Sequence, residues 1–465
     1  MATKKELVEA YQFSRRRLVT AFLSGAPGGR EVEPTKPTKS LVGGVALAVL
    51  LCAGGGVAGF LGGRPDSNWK SEGSFIISKD TGDQYVVLSG GDDAAIQRVP
   101  NFISGQLLLG TAEPEVFSVK DKYIRSVALG SDLGIESAPA GLPPGDALIQ
   151  TGWTACTAEG RGVKINVAAQ PDVTERSGGA FVVRTGGRLT WLIAQSPGGP
   201  AYRFELPANP TAQSTLLDAL GFGASSLAPE VSDEWLNLFP LGPALTRQAF
   251  GVADTGRAAT YPGLRTDLTG FLVGDLVQTP EGGYYLLGDD SPQRLSEFPA
   301  LVYSALVAPP KELSSALSAN FDPPDHPVEW PSLRPTPVTD GEMCGLLQED
   351  DGASFVVLAD QPGEDASAES LRPGSKDVDV EPSGGAYVLS GSDLTTDSGS
   401  PFVVDAKGAK YALVGPSVAE FIGYGEVDAP VVPDSWMSFF SDGVELSVNA
   451  ARRLPEDASD DAAVQ

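Results

Sequence analysis

At 465 residues with 42% hydrophobic content, the chain is long enough for about three domains of ordinary size and can fill their cores. Its 33 basic and 60 acidic residues give a net charge of −27, which excludes the basic footprint that non-specific binding to nucleic-acid phosphate requires. One histidine and three cysteines exclude a histidine-cluster metal site, an all-cysteine zinc site and a disulfide-dense scaffold, and 55 glycines with 37 prolines point to many turns.

The first element is a helix over Lys4 to Ser24. Leu7, Tyr11, Leu18 and Phe22 recur at spacings of four and seven, with Arg15, Arg16 and Arg17 between them. Gly25-Ala26-Pro27-Gly28-Gly29 ends it. Leu41 to Leu61 then runs for 21 residues without a charge. As a helix it spans about 31 Å, which matches a hydrocarbon core of about 30 Å. Residues 1–39, ending in Lys36 and Lys39, hold eight Lys/Arg and four Asp/Glu, whereas everything beyond the span holds 25 and 56. Lys/Arg asymmetry places the N-terminus in the cytoplasm and the bulk of the chain outside. The expected organisation is a cytoplasmic basic amphipathic leader (1–39), a transmembrane helix (40–62) and a periplasmic domain (63–465). The leader lies on anionic lipid, docks on a partner, or serves only to orient the span.

A cleaved signal peptide is the competing reading. The leader is longer than the usual charged n-region. Ser14-Arg15-Arg16-Arg17 resembles a twin-arginine signal but lies far ahead of the apolar run, behind Pro34 and Pro37. Cys52 follows Leu51, where a lipoprotein would carry a small residue.

The region beyond the span repeats itself. A glycine, a tyrosine three residues later and an apolar residue two further on recur at Gly82/Tyr85/Val87, Gly199/Tyr202/Phe204, Gly282/Tyr285/Leu287 and Gly408/Tyr411/Leu413. This reads as four hairpins. The first and third continue into Gln97-Arg98 with Phe102, and Gln293-Arg294 with Phe298. The second and fourth open with Ser177-Gly178-Gly179-Ala180 and Ser383-Gly384-Gly385-Ala386, and both then show Gly-aromatic-Gly. They close with Pro229, Val231, Trp235, Phe239, Gly242 and Leu245 against Pro430, Val432, Trp436, Phe440, Gly443 and Leu446, at identical offsets. Trp235 and Phe239, like Trp436 and Phe440, share a helix face, so a short helix packed on its own hairpin is expected.

Cys156 and Cys344 occupy equivalent places in the two halves, on the oxidising side of the membrane, which suggests one bridge near a pseudo-twofold axis; two buried thiols are the alternative. The expected fold class is α+β: a single N-terminal transmembrane helix plus an elongated pseudo-twofold ectodomain of four β-hairpin/helix repeats (about 73–112, 177–246, 272–310 and 383–447). These surround a central β-rich domain (about 113–176 and 311–382), with a disordered tail at about 455–465.

Chemistry-bearing motifs are sparse. No G-x-x-x-x-G-K-[ST] phosphate loop is present, and Gly221-Phe222-Gly223 and Gly423-Tyr424-Gly425 read as turns because both halves carry them. Glu349-Asp350-Asp351 and Asp377, Asp379 and Glu381 do not fit the twelve-residue calcium loop and read as solvated charge. His326, set among prolines, reads as a loop residue. No catalytic residue, metal site or cofactor is expected.

The arginine-bearing leader with Leu23-Ser24-Gly25, the glycine-rich span, the four repeats, the paired cysteines and the Pro-x-Val…Trp…Phe…Gly-x-x-Leu ending together resemble the EccB membrane components of actinobacterial type VII (ESX) secretion systems. The resemblance covers nearly the whole chain. It implies a single-pass subunit of the core translocation complex, assembled with the EccC motor ATPase, EccD and EccE, meeting the mycosin protease and self-associating through its periplasmic domain. It also implies a disulfide that maps to Cys156 and Cys344. ATPase activity has been ascribed to the family, so ATP hydrolysis is one alternative. An envelope-binding module whose Tyr85, Tyr202, Tyr285 and Tyr411 form exposed sugar platforms is another.

Overall fold

The computed structural model describes residues 4–24 and 65–455, apart from interruptions at 91–94, 187–188, 225–226, 318–326, 328, 340, 351–352, 362–367 and 392–397. The chain divides into two compact units, Met1–Arg64 and Pro65–Gln465. In the first, the leader forms one helix, Lys4–Ser24, with Leu7 and Tyr11 exposed. The expected span Leu41 to Leu61, Lys36, Lys39, Cys52, His326 and the tail beyond 455 lie outside the described residues. Among the described residues no helix is long and apolar enough to cross a membrane.

The second unit is sheet-rich α+β. Two of its sheets follow one path. In the first, Ser74–Ser78, Gln84–Val87 and Ala95–Val99 form an antiparallel meander, the helix Phe102–Leu109 follows, and Glu115–Val119 returns parallel to the first strand. In the second, Leu276–Gln278, Tyr284–Leu287 and Pro292–Leu295 lead to the helix Glu297–Leu306, and Lys311–Glu312 returns in the same way. The first of these helices has a local reason to start and stop where it does. Asn101 Oδ1 accepts from Ser104 N–H at 2.9 Å, and Gly110 closes the C-terminus in the left-handed region.

A third sheet orders Ala201–Glu205, Thr190–Gln195, Gly179–Arg184 and Thr336–Pro337. The largest sheet has Trp153–Thr157 and Glu342–Asp350 near its middle, flanked by their hairpin partners Val163–Val167 and Ala353–Gln361. It continues through Val431–Pro433 into Ala386–Gly391, Ser400–Val404 and Ala409–Ala412. The strands of residues 383–447 are therefore continuous with the central sheet, whereas those of 177–246 form a separate sheet with Thr336–Pro337 at its edge.

Packing joins the hairpin units crosswise. Leu216, Leu217 and Leu220 of the helix Pro210–Leu220 share a core with Leu276, Phe298 and Val302. Ile103 and Leu107, from the first hairpin unit, share one with Tyr387, Tyr411, Tyr424 and Leu446, from the last.

The one-turn helices Asp233–Leu236 and Asp434–Met437 carry Trp235 and Trp436. Both indoles are fully buried and enter the core of the central sheet, together with Trp153, Phe239 and Phe440, rather than packing only on their own hairpins. Each also packs on its own hairpin, Trp235 with Phe181, Val183 and Ile193 and Trp436 with Ala386, Val388 and Val404, and the central sheet adds apolar surface beyond what a single hairpin offers.

Gly242 and Gly443 show how the last segment of each unit seats. A Cβ at Gly242 would run into the ring of Phe204, and one at Gly443 into the ring of Tyr411. The matching backbone bonds are Gly242 N–H to Arg203 O at 2.9 Å and Gly443 N–H to Lys410 O at 2.8 Å. Phe204, not Tyr202, is thus the structural counterpart of Tyr411, a shift of two residues from the sequence pairing. Overpacking predicts that Gly242→Ala and Gly443→Ala each lower the unfolding free energy by roughly 1–3 kcal/mol. Gly141→Ala, where a Cβ meets open space, should change it by less than about 0.5 kcal/mol. Denaturant titration checks all three.

Candidate assembly scaffold around the disulfide

Cys156 and Cys344 face each other across an antiparallel ladder, between the pairs Met343↔Thr157 and Gly345↔Ala155. Their Cα atoms are 4.1 Å apart and their sulfurs are bonded. The strand order on either side is hairpin strand, cysteine strand, cysteine strand, hairpin strand, so the pair lies at the centre of the arrangement.

Contacts further out obey the same exchange. Leu148 bridges Gly385, and Thr336, the same number of residues before its own cysteine, bridges Gly179. Each half therefore lays the segment ahead of its cysteine strand against the Gly-Gly turn of the other half. Arg176 N–H donates to Leu358 O at 2.8 Å, and Glu381 N–H donates to Val167 O at 2.9 Å, again across halves.

The disulfide packs with Leu346, Val357 and Ala359 on one face of the sheet. Two polar features stand close in the ladder. Arg176 clamps the buried Asp360 carboxylate through Nε and Nη2, at 2.5 and 2.7 Å. Glu342 is also buried, and its carboxylate accepts from the N–H groups of Glu369 at 2.9 Å and Ala368 at 3.3 Å. Burial pushes the Glu342 carboxyl above the usual range, against the downward pull of those two donors. On the opposite face, Trp153 meets Phe440 edge-on at 5.3 Å and Trp436 at 6.5 Å, while Trp235 meets Phe239 at 5.1 Å. Trp235 Nε1 donates to Ala155 O at 2.8 Å, next to the cysteine.

The four tyrosines are not a surface array. Tyr85, Tyr202 and Tyr285 are half-buried against three different cores, and Tyr411 is buried. The Tyr411 hydroxyl donates to Asp405 Oδ2 at 3.2 Å; burial first and this carboxylate second push it up to about 12.

The two Gly-aromatic-Gly turns are helix C-caps. Gly221 has φ +85°, and Phe222 N–H returns to Leu217 O at 2.8 Å; Gly423 has φ +96°, and Tyr424 N–H returns to Ala419 O at 2.7 Å. Arg15 is exposed on the leader helix, which also contains Arg16 and Arg17. Asp377 is paired with Lys164 at 2.6 Å, and Glu381 accepts from Ala169 N–H at 3.0 Å. Among the described residues no group of three or more His, Cys, Asp or Glu is placed to hold a metal ion.

The sequence profile of the type VII secretion system ESX-1 family "transport TM domain B", EccB, matches residues 1–458. The chain belongs to this EccB family. Solved structures show the same fold at low identity. A chain of an intact ESX-5 inner membrane complex is 21% identical at TM-score 0.61, covering 98% of this chain and 95% of that one. A chain of the periplasmic assembly of that complex is 19% identical at 0.56, covering 84% and 98%. A chain of an EccB3 dimer from the ESX-3 core complex is 21% identical at 0.59, covering 82% and 99%. EccB proteins are components of the type VII secretion inner-membrane complex, and the fold described above is that of their periplasmic part.

Sequence reasoning found the cysteines, Trp235 and Trp436. It missed Trp153, Glu342 and the Arg176–Asp360 clamp. The cysteine offset also relates Leu148 to Thr336, so it carried a signal for the cross-half bridges, but it marks none of these residues, since it sets Trp153 against Gly341 and Glu342 against Thr154.

Two outcomes follow. The bridge closes 188 residues, so Cys156→Ser with Cys344→Ser should lower stability by roughly 2–5 kcal/mol in denaturant titration. The raised Glu342 carboxyl holds its proton longer in the folded than in the unfolded state. Its contribution to stability therefore falls as pH rises through a window that opens near the ordinary value of 4.5 and extends upward. Glu342→Gln should accordingly gain stability relative to the parent as pH is raised from about 4 to about 7, read by melting temperature.

Proposed function

We propose that this EccB chain is a single-pass structural subunit of the type VII secretion core complex. On this reading Leu41 to Leu61 is the anchor, Arg15, Arg16, Arg17, Lys36 and Lys39 keep the leader in the cytoplasm, and residues 63–465 stand outside as four repeats about a central domain. The subunit joins the inner-membrane pore, with EccC, EccD and EccE, to a periplasmic assembly that includes further copies of itself and the mycosin protease. The single observation that carries the reading is a family match running from residue 1 to residue 458, through leader, span and sheet-rich unit alike.

The geometry supports a mechanical rather than a bond-breaking role. Gly221 and Gly423 close helix C-termini, whose partial negative charge repels phosphate. The cavity of about 450 Å3 beside Gly223 has Glu159 and Glu369 in its lining and, among the described residues, no Lys or Arg. An ATP site needs the opposite charge. Sugar binding on stacked aromatics is disfavoured because Tyr411 is buried and Tyr85, Tyr202 and Tyr285 are half-buried against three different cores rather than fully exposed.

Affinity purification of the tagged full chain from detergent-extracted membranes is the test. The full chain should carry the other type VII membrane subunits with it, and a chain beginning at residue 65 should lose them. Recovery of the full chain alone, in monomeric form, would contradict the reading.

A further inference from the structure

The two sheets that follow one path differ at one edge. In the first, Glu115–Val119 pairs only with Ser74–Ser78, so its other side is open among the described residues. The strand runs in unbroken register without a bulge and holds neither lysine nor proline. In the second sheet the returning strand is cut to Lys311–Glu312, behind Pro309 and Pro310, and Lys311 is paired with Asp275 at 2.6 Å. Short length, lysine and proline are the usual means of closing a sheet edge to other chains. The duplication has kept them on one copy of this strand and left the other as a template.

Register shows which groups face outward. Val119 O accepts from Lys79 N–H at 2.8 Å, so Val119, and with it Phe117 and Glu115, turns its main chain toward Ser74–Ser78. Val116 and Ser118 therefore turn their N–H and C=O groups away from the sheet, and among the described residues no hydrogen bond occupies them. Both residues are exposed, Val116 by 49%.

Charge and parity select the occupant. Glu113 and Glu115 stand at one end of the strand and Lys120 and Lys122 at the other, all exposed, and the ion pairs among the described residues use none of the four. Asp121, the one acid at the basic end, is already engaged by Ser78 Oγ and by Arg125 at 3.4 Å. A parallel copy of the strand would set like ends together, whereas an antiparallel copy sets acid beside base. Antiparallel pairing centred on Phe117 also matches the open groups, because it faces Val116 with Ser118 of the second copy, and both turn outward. We propose that Glu115–Val119 is a pairing surface for the same strand of a second copy of this chain, antiparallel about a twofold axis at Phe117. The two Phe117 residues then face each other as a non-hydrogen-bonded pair, with Cα atoms about 4.5 Å apart. This rests on the reading above, which calls for further copies of the chain, and adds the surface by which two of them meet.

The test is cysteine cross-linking of the full chain in isolated membranes, in a Cys52→Ser background, with copper phenanthroline as oxidant. Phe117→Cys should be recovered mainly as a disulfide-linked dimer of this chain, and Leu129→Cys, exposed at the opposite edge of the same sheet, should stay unlinked. In detergent, Ser118→Pro removes an outward N–H and should weaken self-association at least tenfold by sedimentation, with the melting temperature unchanged. Glu115→Lys and Lys120→Glu should each weaken it at least threefold, and the two together should restore it. Absence of the linked dimer in Phe117→Cys, linkage to a protein of another mass, or undiminished self-association of Ser118→Pro would each overturn the proposal. So would failure of the double charge reversal to restore association, a criterion that holds even where Phe117→Cys does not fold. Should these results go against the pairing while the other membrane subunits still co-purify, the pairing falls and the secretion reading stands.

Discussion

The structure of the large unit depends on one strand pair. Trp153–Thr157 and Glu342–Asp350 come from distant parts of the chain, and pairing them carries the loop-closure entropy of nearly the whole repeat. The bond between Cys156 and Cys344 removes that entropy from the unfolded chain once, at the centre of the arrangement. Everything that crosses between halves is registered from there, including the Leu148–Gly385 and Thr336–Gly179 bridges.

Apolar burial rather than charge holds the result. The described ion pairs outside the Arg176–Asp360 clamp leave at least one partner well exposed, as in Lys410–Asp442 and Lys376–Glu234, and pairs of this kind contribute about 0–1 kcal/mol each. Replacing a fully buried aromatic such as Trp153, Trp235 or Trp436 by alanine removes about 3–5 kcal/mol. A net charge of −27 acts against compaction, so the aromatic core and the covalent bond offset that repulsion.

Much of this was legible in the sequence because duplication made it redundant. Trp235 and Trp436, Gly242 and Gly443, and the two Gly-aromatic-Gly caps appear twice at fixed offsets, and each pair has equivalent surroundings in the fold. The hairpin tyrosines were less legible. A glycine followed by tyrosine is a local pattern, and strand register is set by long-range packing, so Phe204 rather than Tyr202 took the place over the glycine. The crosswise pairing of units was not legible at all, because no local periodicity records which hairpin a helix will meet.

The account holds together only if the acidic, disulfide-centred unit stands on the far side of the membrane from the basic leader helix. Labelling intact spheroplasts with a membrane-impermeant maleimide tests this directly, using single cysteines at the exposed positions Leu129 and Leu7 in a Cys52→Ser background. The account predicts that Leu129→Cys reacts in intact cells and Leu7→Cys only after lysis. Reaction of Leu7→Cys in intact cells, or protection of Leu129→Cys until lysis, would contradict it.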